Sequence, residues 1–312
     1  MIKKEFFLRT QFALLLYLIF FGPFLHAETP MQDLILEADH SKVVTVDATP
    51  NDPGQVELFT SYVIQGGKFA WKSNGGRYHR GTYFNQTVDT QTTLGIYKDI
   101  DIGIIQGFEH LLDKENNYNE VRDSIDLETG EASEDTTNGP THGFGFYDLG
   151  ITGHWRFYHA PEKHLEISYV PTIYVPTGRR SNLDHLGPSQ GYTSYDNSVA
   201  VTKDIGRWTT TTNLGFNSPL AHLKRTNNYE GSLHTNLAVG YQVLQWLQPE
   251  IEAIYAHDFG RHGASANLVS MVLGVIMPVN DHLRFELGLQ QDVFGSNKNQ
   301  TTSGIFSVAF LT

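Results

Sequence analysis

The stretch Thr92–Ile104, TTLGIYKDIDIGI, carries the alternation that decides the fold. On both sides of its central Lys98-Asp99 pair, aliphatic side chains stand at every second position, with small or polar residues between them. Successive side chains of a β-strand point to opposite faces, so the pattern predicts a hairpin with one apolar face. A protein core and a lipid bilayer would both accept that face, and the rest of the chain must distinguish between them.

The same alternation predicts how the hairpin pairs. Residues that face each other across antiparallel strands share a side of the sheet, and this rule excludes Tyr97 opposite Ile100. Tyr97 is therefore expected opposite Asp101, closed by a three-residue loop. The same reasoning places Arg156 opposite Glu166 in a later hairpin.

The N-terminus has the pattern of a secretory signal. Three basic residues among the first nine precede an apolar run over residues 12–25, and Ala27 offers a small residue for cleavage. This run of 14 residues is shorter than the roughly 20 residues that a membrane-spanning helix needs. We therefore expect residues 1–27 to be a signal peptide and the mature chain to start at Glu28.

Composition excludes several classes of function. The formal net charge of −12 becomes about −14 without the signal, so nucleic acid is not expected as a partner. The chain has no cysteine and therefore no disulfide bonds. Phosphate-binding loops and zinc-protease motifs are also absent from the sequence. The sequence accordingly predicts neither a cofactor nor a metal.

Twelve segments with strand character follow, at about 56–65, 84–97, 100–110, 145–158, 164–176, 193–203, 207–217, 231–243, 247–258, 264–277, 282–294 and 302–311. They are about ten to fourteen residues long, whereas soluble strands average about five or six and a bilayer requires about 9–11. Tight connections alternate with longer ones, of which 111–144 is the longest. Even strand number and loops sorted by rim are typical of bacterial outer-membrane barrels. We predict an all-β protein: a closed antiparallel transmembrane β-barrel over residues 56–312, with short periplasmic turns and long extracellular loops.

Alternation within the strands separates a polar face, predicted to line the lumen, from an apolar one. The predicted lumen-lining residues are Asp89, Asp101, Asp148, His154, Arg156, Glu166, Glu250, Glu252, Arg284 and Glu286. Charged rings of this kind either set the ion preference of a pore or form internal networks that hold a narrow barrel rigid. The sequence leaves both possibilities open, and a conducting lumen would prefer cations.

Aromatic residues cluster beside the short turns. They are Trp155, Trp208, Trp246 and, near the C-terminus, Phe310. Amphipathic rings collect where hydrocarbon meets lipid headgroups, so these residues are predicted to form an aromatic girdle.

Two further segments remain ambiguous. Residues 28–55 have little strand signal and are predicted to be either a periplasmic tail or a plug that enters the lumen. The loop 111–144 holds nine carboxylates against two bases. It either binds divalent cations, for example as a bridge to lipopolysaccharide phosphates, or is a solvated surface.

Several stretches carry a family resemblance. They are DPGQVEL at 52–58, the hairpin at 92–104, FYDLGITGHWRFY at 146–158 and YVPTG at 174–178. In these the chain resembles outer-membrane barrel transporters labelled as proteins of the meta-pathway of phenol degradation. The resemblance implies a barrel in the bacterial outer membrane, inserted by the barrel-assembly machinery and surrounded by lipid and lipopolysaccharide. It also implies passage of small, often aromatic or hydrophobic, molecules.

Passive uptake of small molecules is therefore the predicted function, and no enzymatic activity is predicted. The first alternative is a non-conducting structural or surface-interaction barrel whose long loops do the work. The second is a lipid hydrolase, since twelve-stranded phospholipases carry a His-x-Ser pair on the barrel wall. None of the 14 histidines here is followed two places later by serine.

Overall fold

The computed structural model describes residues 42–114, 121–125, 132–136, 141–181, 186–220, 229–260 and 265–312. The predicted signal peptide lies outside these residues, as does much of the acidic loop. Among the described residues, no helix is long and apolar enough to span a membrane.

Strands make up nearly all of the regular structure. They are β1 (Val56–Trp71), β2 (Arg77–Tyr97), β3 (Ile100–Asp113), β4 (Val121–Ile125), β5 (Ala132–Thr136), β6 (His142–Phe146), β7 (Leu149–Ala160), β8 (Leu165–Val175), β9 (Ser194–Ile205), β10 (Trp208–Pro219), β11 (Tyr229–Tyr241), β12 (Gln248–Gly260), β13 (Ala266–Asn280), β14 (Leu283–Ser296) and β15 (Asn299–Leu311). A short 3₁₀ turn, Pro161–Lys163, joins β7 to β8.

The sheet closes on itself. Wall strands pair antiparallel with their neighbours, and β1 completes the circle against β15 from Glu57↔Leu311 to Ala70↔Asn299. β6 and β7 share one position in the wall because both pair with β3, while β4 and β5 form a separate two-stranded ribbon. The wall therefore has twelve positions, which confirms the predicted closed antiparallel twelve-stranded barrel.

The opening hairpin pairs differently from the prediction. Tyr97 lies opposite Ile100, and Gly95 lies opposite Asp101. A bulge at Ile96 absorbs one residue, so a two-residue turn closes the hairpin without mixing its faces. Ile96 stays on the exposed outer face while Asp101 is buried inside. The predicted sides of Ile96 and Asp101 were therefore right, whereas the register and the side of Tyr97 were wrong.

The pairing of Arg156 with Glu166 was wrong as well. Arg156 lies opposite Ser168 and Glu166 lies opposite His159, because β7 and β8 stay paired up to Ala160↔Leu165, closer to the turn than expected. A bulge between Arg156 and Tyr158 changes the register by one residue. The Arg156 guanidinium nevertheless reaches Glu166 diagonally, with Nη1 2.8 Å from Oε1.

The rim opposite the short turns contains more strand than the sequence predicts. Residues 66–83 were expected as a loop, but β1 and β2 continue through them to the Trp71↔Arg77 pair. The loop 111–144 likewise contains the ends of β3 and β6 and the β4–β5 ribbon. In contrast, the predicted strand 145–158 is interrupted at Tyr147-Asp148, where the Tyr147 hydroxyl turns to donate to Thr87 at 3.0 Å.

Candidate functional site

Most of the predicted lumen residues are removed from solvent. Asp101, Asp148, Glu166, Glu250, Glu252 and Glu286 are buried. The side chains of His154, Arg156 and Arg284 keep between 11% and 16% of their exposure. Burying a charged group costs free energy unless the group is paired. The contacts of these side chains therefore show which of them hold the wall together and which bind another part of the chain.

The Arg156 guanidinium binds two carboxylates beside the short turns. Its Nε donates to Oδ1 of Asp99 at 2.8 Å, and its Nη1 donates to Glu166. The His159 ring lies 2.9 Å from the same Glu166 oxygen. These contacts tie the β2–β3 turn to β7 and β8, which gives this network a structural role.

Arg284 forms a second network across the seam of the barrel. It donates to Glu57 on β1 and to Glu286 on its own strand β14, both at 3.0 Å. Since β15 lies between β1 and β14, the guanidinium bridges the strand that closes the barrel.

Asp148, in contrast, holds a loop. Its carboxylate accepts the backbone N–H groups of Gly178 and Gln190 at 3.2 and 3.0 Å, as well as the Ser189 hydroxyl. It therefore anchors the β8–β9 connection against the inside of the barrel. Asp89 lies on β2 and is only partly buried.

The segment Lys42–Gln55, which precedes β1, follows the inner wall. It leaves β1 beside Gly95, whose N–H donates to the carbonyl of Gln55 at 3.0 Å. A side chain at Gly95 would stand 1.9 Å from the carbonyl oxygen of Asp52, so glycine is required for this approach. Farther along, the Asn51 N–H donates to Asp101 on β3 at 2.9 Å.

The middle of the segment crosses β8, β9 and β10. The Thr49 hydroxyl donates to Glu166 at 2.7 Å, and the Ala48 N–H donates to the Thr202 hydroxyl at 3.0 Å. Asn213 accepts the Val46 N–H at 2.8 Å and donates its own amide to the Val46 carbonyl at 2.5 Å. Wall side chains here replace the hydrogen bonds that a neighbouring strand would supply.

The beginning of the segment meets two carboxylates of β12. Glu252 accepts the N–H groups of Val44 and Thr45 at 2.8 and 2.9 Å. Glu250 accepts the Val43 N–H at 3.1 Å, and its other oxygen lies 3.7 Å from Nζ of Lys42. Both side chains of the Lys42–Glu250 pair are fully buried.

Val43 fills a hollow in the wall. Gly274 on β13 and Gly288 on β14 are paired neighbours, and a Cβ on either would lie 2.6–2.7 Å from a methyl carbon of Val43. The isopropyl group packs into a small apolar cluster with Val272, Ile276 and Ile305. The wall thus has a shaped seat for one apolar side chain of the segment.

A further polar cluster lies on the inner wall farther from the short turns. Ser198 and His234 face each other across Gly215, because all three are in register on β9, β10 and β11. The Ser198 hydroxyl is 3.1 Å from Nε2 of His234 and donates to Asp196 at 2.6 Å. A side chain at position 215 would separate them, since its Cβ would lie 2.1 Å from Nε2.

The segment leaves part of the lumen open. A cavity of about 690 Å³ lies between it and the wall. Polar groups line it, including His154, Asp196 and Ser198, together with the apolar side chains of Phe59 and Val170. That volume is within the range of about 300–1,000 Å³ typical of small-molecule sites.

The predicted girdle residues lie at the short-turn rim. Trp155, Trp208, Trp246 and Phe310 each keep about half of their surface exposed. Trp71, in contrast, is buried at the opposite rim, where its ring contacts Phe294.

Sequence reasoning missed the residues that hold the segment. Val43, Thr45, Asn213 and Thr202 have no local pattern that distinguishes them from their neighbours. A usable signal was present in the inward-facing glycines, because a missing side chain on a polar lumen face marks a close approach. Among the described residues, no group of three or more His, Cys, Asp or Glu side chains is placed to hold a metal ion.

One family of known proteins matches most of the chain. Its model, described as "Putative MetA-pathway of phenol degradation", matches residues 57–308. No curated protein matches significantly.

Solved structures are similar in fold. An outer-membrane channel from Pseudomonas putida F1 aligns with a TM-score of 0.69 at 12% identity, over 87% of this chain and all of that one. The β domain of the Bordetella autotransporter BrkA aligns with a TM-score of 0.47 at 10% identity, over 82% of this chain and 99% of that one. At 12% identity, the likeness to the P. putida channel shows that the fold is that of an outer-membrane β-barrel.

Proposed function

The chain belongs to the phenol-degradation family whose model matches residues 57–308, and on that premise we propose that it is a passive channel for small molecules in the bacterial outer membrane. The lumen is the path, and Lys42–Gln55 is the element that restricts it.

One observation carries this proposal: the segment is bound to the inner wall through side chains, while a cavity remains beside it. Structural filling alone would favour a dry, packed interior, as in small barrels. Here the wall instead presents buried acids such as Glu252 to the backbone of a segment that forms no strand. Such a segment can leave without breaking the hydrogen-bond ladder of the barrel.

We further propose that the passing molecules are small and include aromatic or hydrophobic compounds. The cavity supports this by combining apolar surfaces, from Phe59, Ile105 and Val170, with hydrogen-bonding groups. The description of the family, which refers to phenol degradation, agrees with that class.

A reducible disulfide bond between the segment and the barrel wall tests the proposal. A Cβ on Gly274 would lie 3.5 Å from Cβ of Val43, which is within the range of about 3.5–4.5 Å for disulfides. Because the chain has no cysteine, Val43→Cys combined with Gly274→Cys introduces a single possible bond. The mature protein, the oxidised double variant and a form without residues 28–55 are then compared in planar bilayers, with the Val43→Cys single variant as control.

We expect rare or no conductance steps in the oxidised double variant, recovery on reduction and the largest steps in the shortened form. Equal conductance in all three forms would contradict the restricting role of the segment. Silence in all three, with barrels that are folded by heat-modifiable mobility, would contradict the channel.

The buried Lys42–Glu250 pair favours a second candidate, a non-conducting barrel whose loops bind a partner. A permanently held segment is what such a barrel needs, and two fully buried charges are hard to separate. The bilayer comparison decides between the two functions.

A further inference from the structure

The outer surface of the seam between β1 and β15 has an apolar groove. Gly304 lies there on the outward face opposite Ile64, and a Cβ on it would lie 3.4 Å from Cγ2 of Ile64. The missing side chain leaves a groove of about 600 Å³. Its walls include Tyr62, Ile64, Leu273, Leu287, Leu289 and Phe306.

A second hollow continues the groove away from the short turns. The Gly66↔Thr302 pair follows the Ile64↔Gly304 pair two residues along the same strands, and so on the same face. There a hollow of about 790 Å³ is lined by Phe84 and Val293 as well as by polar groups. The two hollows together run along one seam of the barrel.

Two exposed basic residues line this second hollow. Lys68 and Arg77 are exposed, and the Arg77 guanidinium stacks over the Phe69 ring at 4.7 Å. The neighbouring Arg80 is paired with Asp113, but no ion pair of Lys68 or Arg77 occurs within the described parts of the chain.

The local charge is opposite to that of the whole protein. Between Glu57 and Asp89 the sequence contains no acidic residue, but it contains Lys68, Lys72, Arg77 and Arg80. In a chain with a net charge of −12, these four basic residues attract anions to the ends of β1 and β2 where they lie.

An anionic lipid with phosphate close to its acyl chains fits this surface. Acyl chains suit the apolar groove, and clustered basic residues at a membrane surface bind lipid phosphates. The basic end lies at the rim opposite the short turns, which is the extracellular side of an outer-membrane barrel. The outer leaflet there is made of lipopolysaccharide.

We propose that this seam binds one lipopolysaccharide molecule through its lipid A part, with an acyl chain over Gly304 and a phosphate between Lys68 and Arg77. This rests on the outer-membrane location in the proposed function, but it does not require that the barrel conducts.

Native mass spectrometry of the refolded mature protein with purified lipid A tests the proposal. Phosphatidylglycerol serves as an anionic competitor with a different headgroup, and dephosphorylated lipid A serves to isolate the phosphate. Lys68→Gln with Arg77→Gln removes both cations. The matched control, Lys98→Gln with Lys163→Gln, removes two exposed lysines from the opposite rim.

We expect one lipid A per barrel, with affinity reduced about fivefold for each cation removed at the seam and unchanged in the control. Gly304→Leu, which fills the groove and keeps the charges, should weaken binding about tenfold. Equal binding by the seam and control variants would overturn the proposal. So would equal binding of lipid A and phosphatidylglycerol, or of lipid A and its dephosphorylated form.

Discussion

Thr45 donates both its backbone N–H and its hydroxyl to the same carboxylate oxygen of Glu252, at 2.9 and 2.5 Å. The other oxygen of Glu252 accepts the Val44 N–H, so the segment saturates a carboxylate that is only 1% exposed. Withdrawal of the segment would leave this carboxylate to water or to unpaired burial. The carboxylate and the segment therefore stabilise each other, and their contributions should not be independent.

A double-mutant cycle measures this dependence. Thr45→Val removes the hydroxyl at nearly constant volume, and Glu252→Gln removes the charge. We expect each variant to lower the free energy of unfolding and the pair to be coupled by about 1–2 kcal/mol, since contacting residues are not additive. Urea unfolding of the protein in lipid vesicles provides the measurement. The same cycle with Thr92→Val, an exposed outer position, should be additive; additivity for Thr45 would contradict the role of Glu252.

A larger side chain in the hollow that holds Val43 should displace the segment from the wall. Gly274→Val places a Cβ 2.6 Å from a methyl carbon of Val43, so the segment should leave its seat while the barrel stays folded. Trypsin reports this release because the side chain of Lys42 is fully buried when the segment is bound. We expect rapid cleavage after Lys42 in Gly274→Val and protection in Gly304→Ala, whose added methyl points outward.

A compensating change checks the mechanism. Gly274→Ala with Val43→Ala restores space in the seat, so this pair should regain protection that Gly274→Ala alone lacks. Continued cleavage of the pair at the rate of the single variant would show that the glycine acts through the wall and not through Val43.

How far the sequence predicts the fold is visible in the opening hairpin. Alternation assigned the correct sides to Ile96 and Asp101, since burial on one face is a local property with a period of two. It did not predict the register, because a bulge adds one residue and shifts the alternation by one position, and the position of a bulge is not visible in the pattern. The register follows from twist and closure of the whole barrel, which no short window contains.

The candidate site was less predictable for a different reason. The contacts that hold the segment join residues about 50–210 positions apart, such as Asn51 with Asp101 and Val44 with Glu252. Such contacts leave no periodic trace in one sequence. The acids on the wall were recognised as lumen-facing from their parity, whereas their partner was recognised only as a segment of little strand signal.

Ser198, His234 and Asp196 are the residue types of a catalytic triad, but their geometry does not suit nucleophilic catalysis. In a working triad the serine proton passes to histidine, but here the Ser198 hydroxyl donates to Asp196 at 2.6 Å. The nearest approach of the His234 Nδ1 to Asp196 is 3.6 Å, too long to orient the ring. We expect no covalent labelling of the folded protein by a fluorophosphonate probe. Labelling that is lost in Ser198→Ala, but kept in Ser194→Ala, would reveal a hydrolase and contradict the prediction.

Charge on the inner wall predicts the ion preference of the open barrel. Release of the segment removes Lys42 from Glu250 and the backbone donors from Glu252, so two further carboxylates face the lumen. In a narrow pore such rings favour cations. A bilayer of the form without residues 28–55, under a potassium chloride gradient, should therefore give a reversal potential on the cation side.

The two glutamates should account for part of that preference. Glu250→Gln with Glu252→Gln should shift the reversal potential toward zero, because amides keep the shape of the pore without its charge. Asp281→Asn, an exposed change in the β13–β14 turn, is the control and should leave the reversal potential unchanged. A reversal potential on the anion side would show that Arg156 and Arg284 dominate the path, contrary to the pairing seen in their networks.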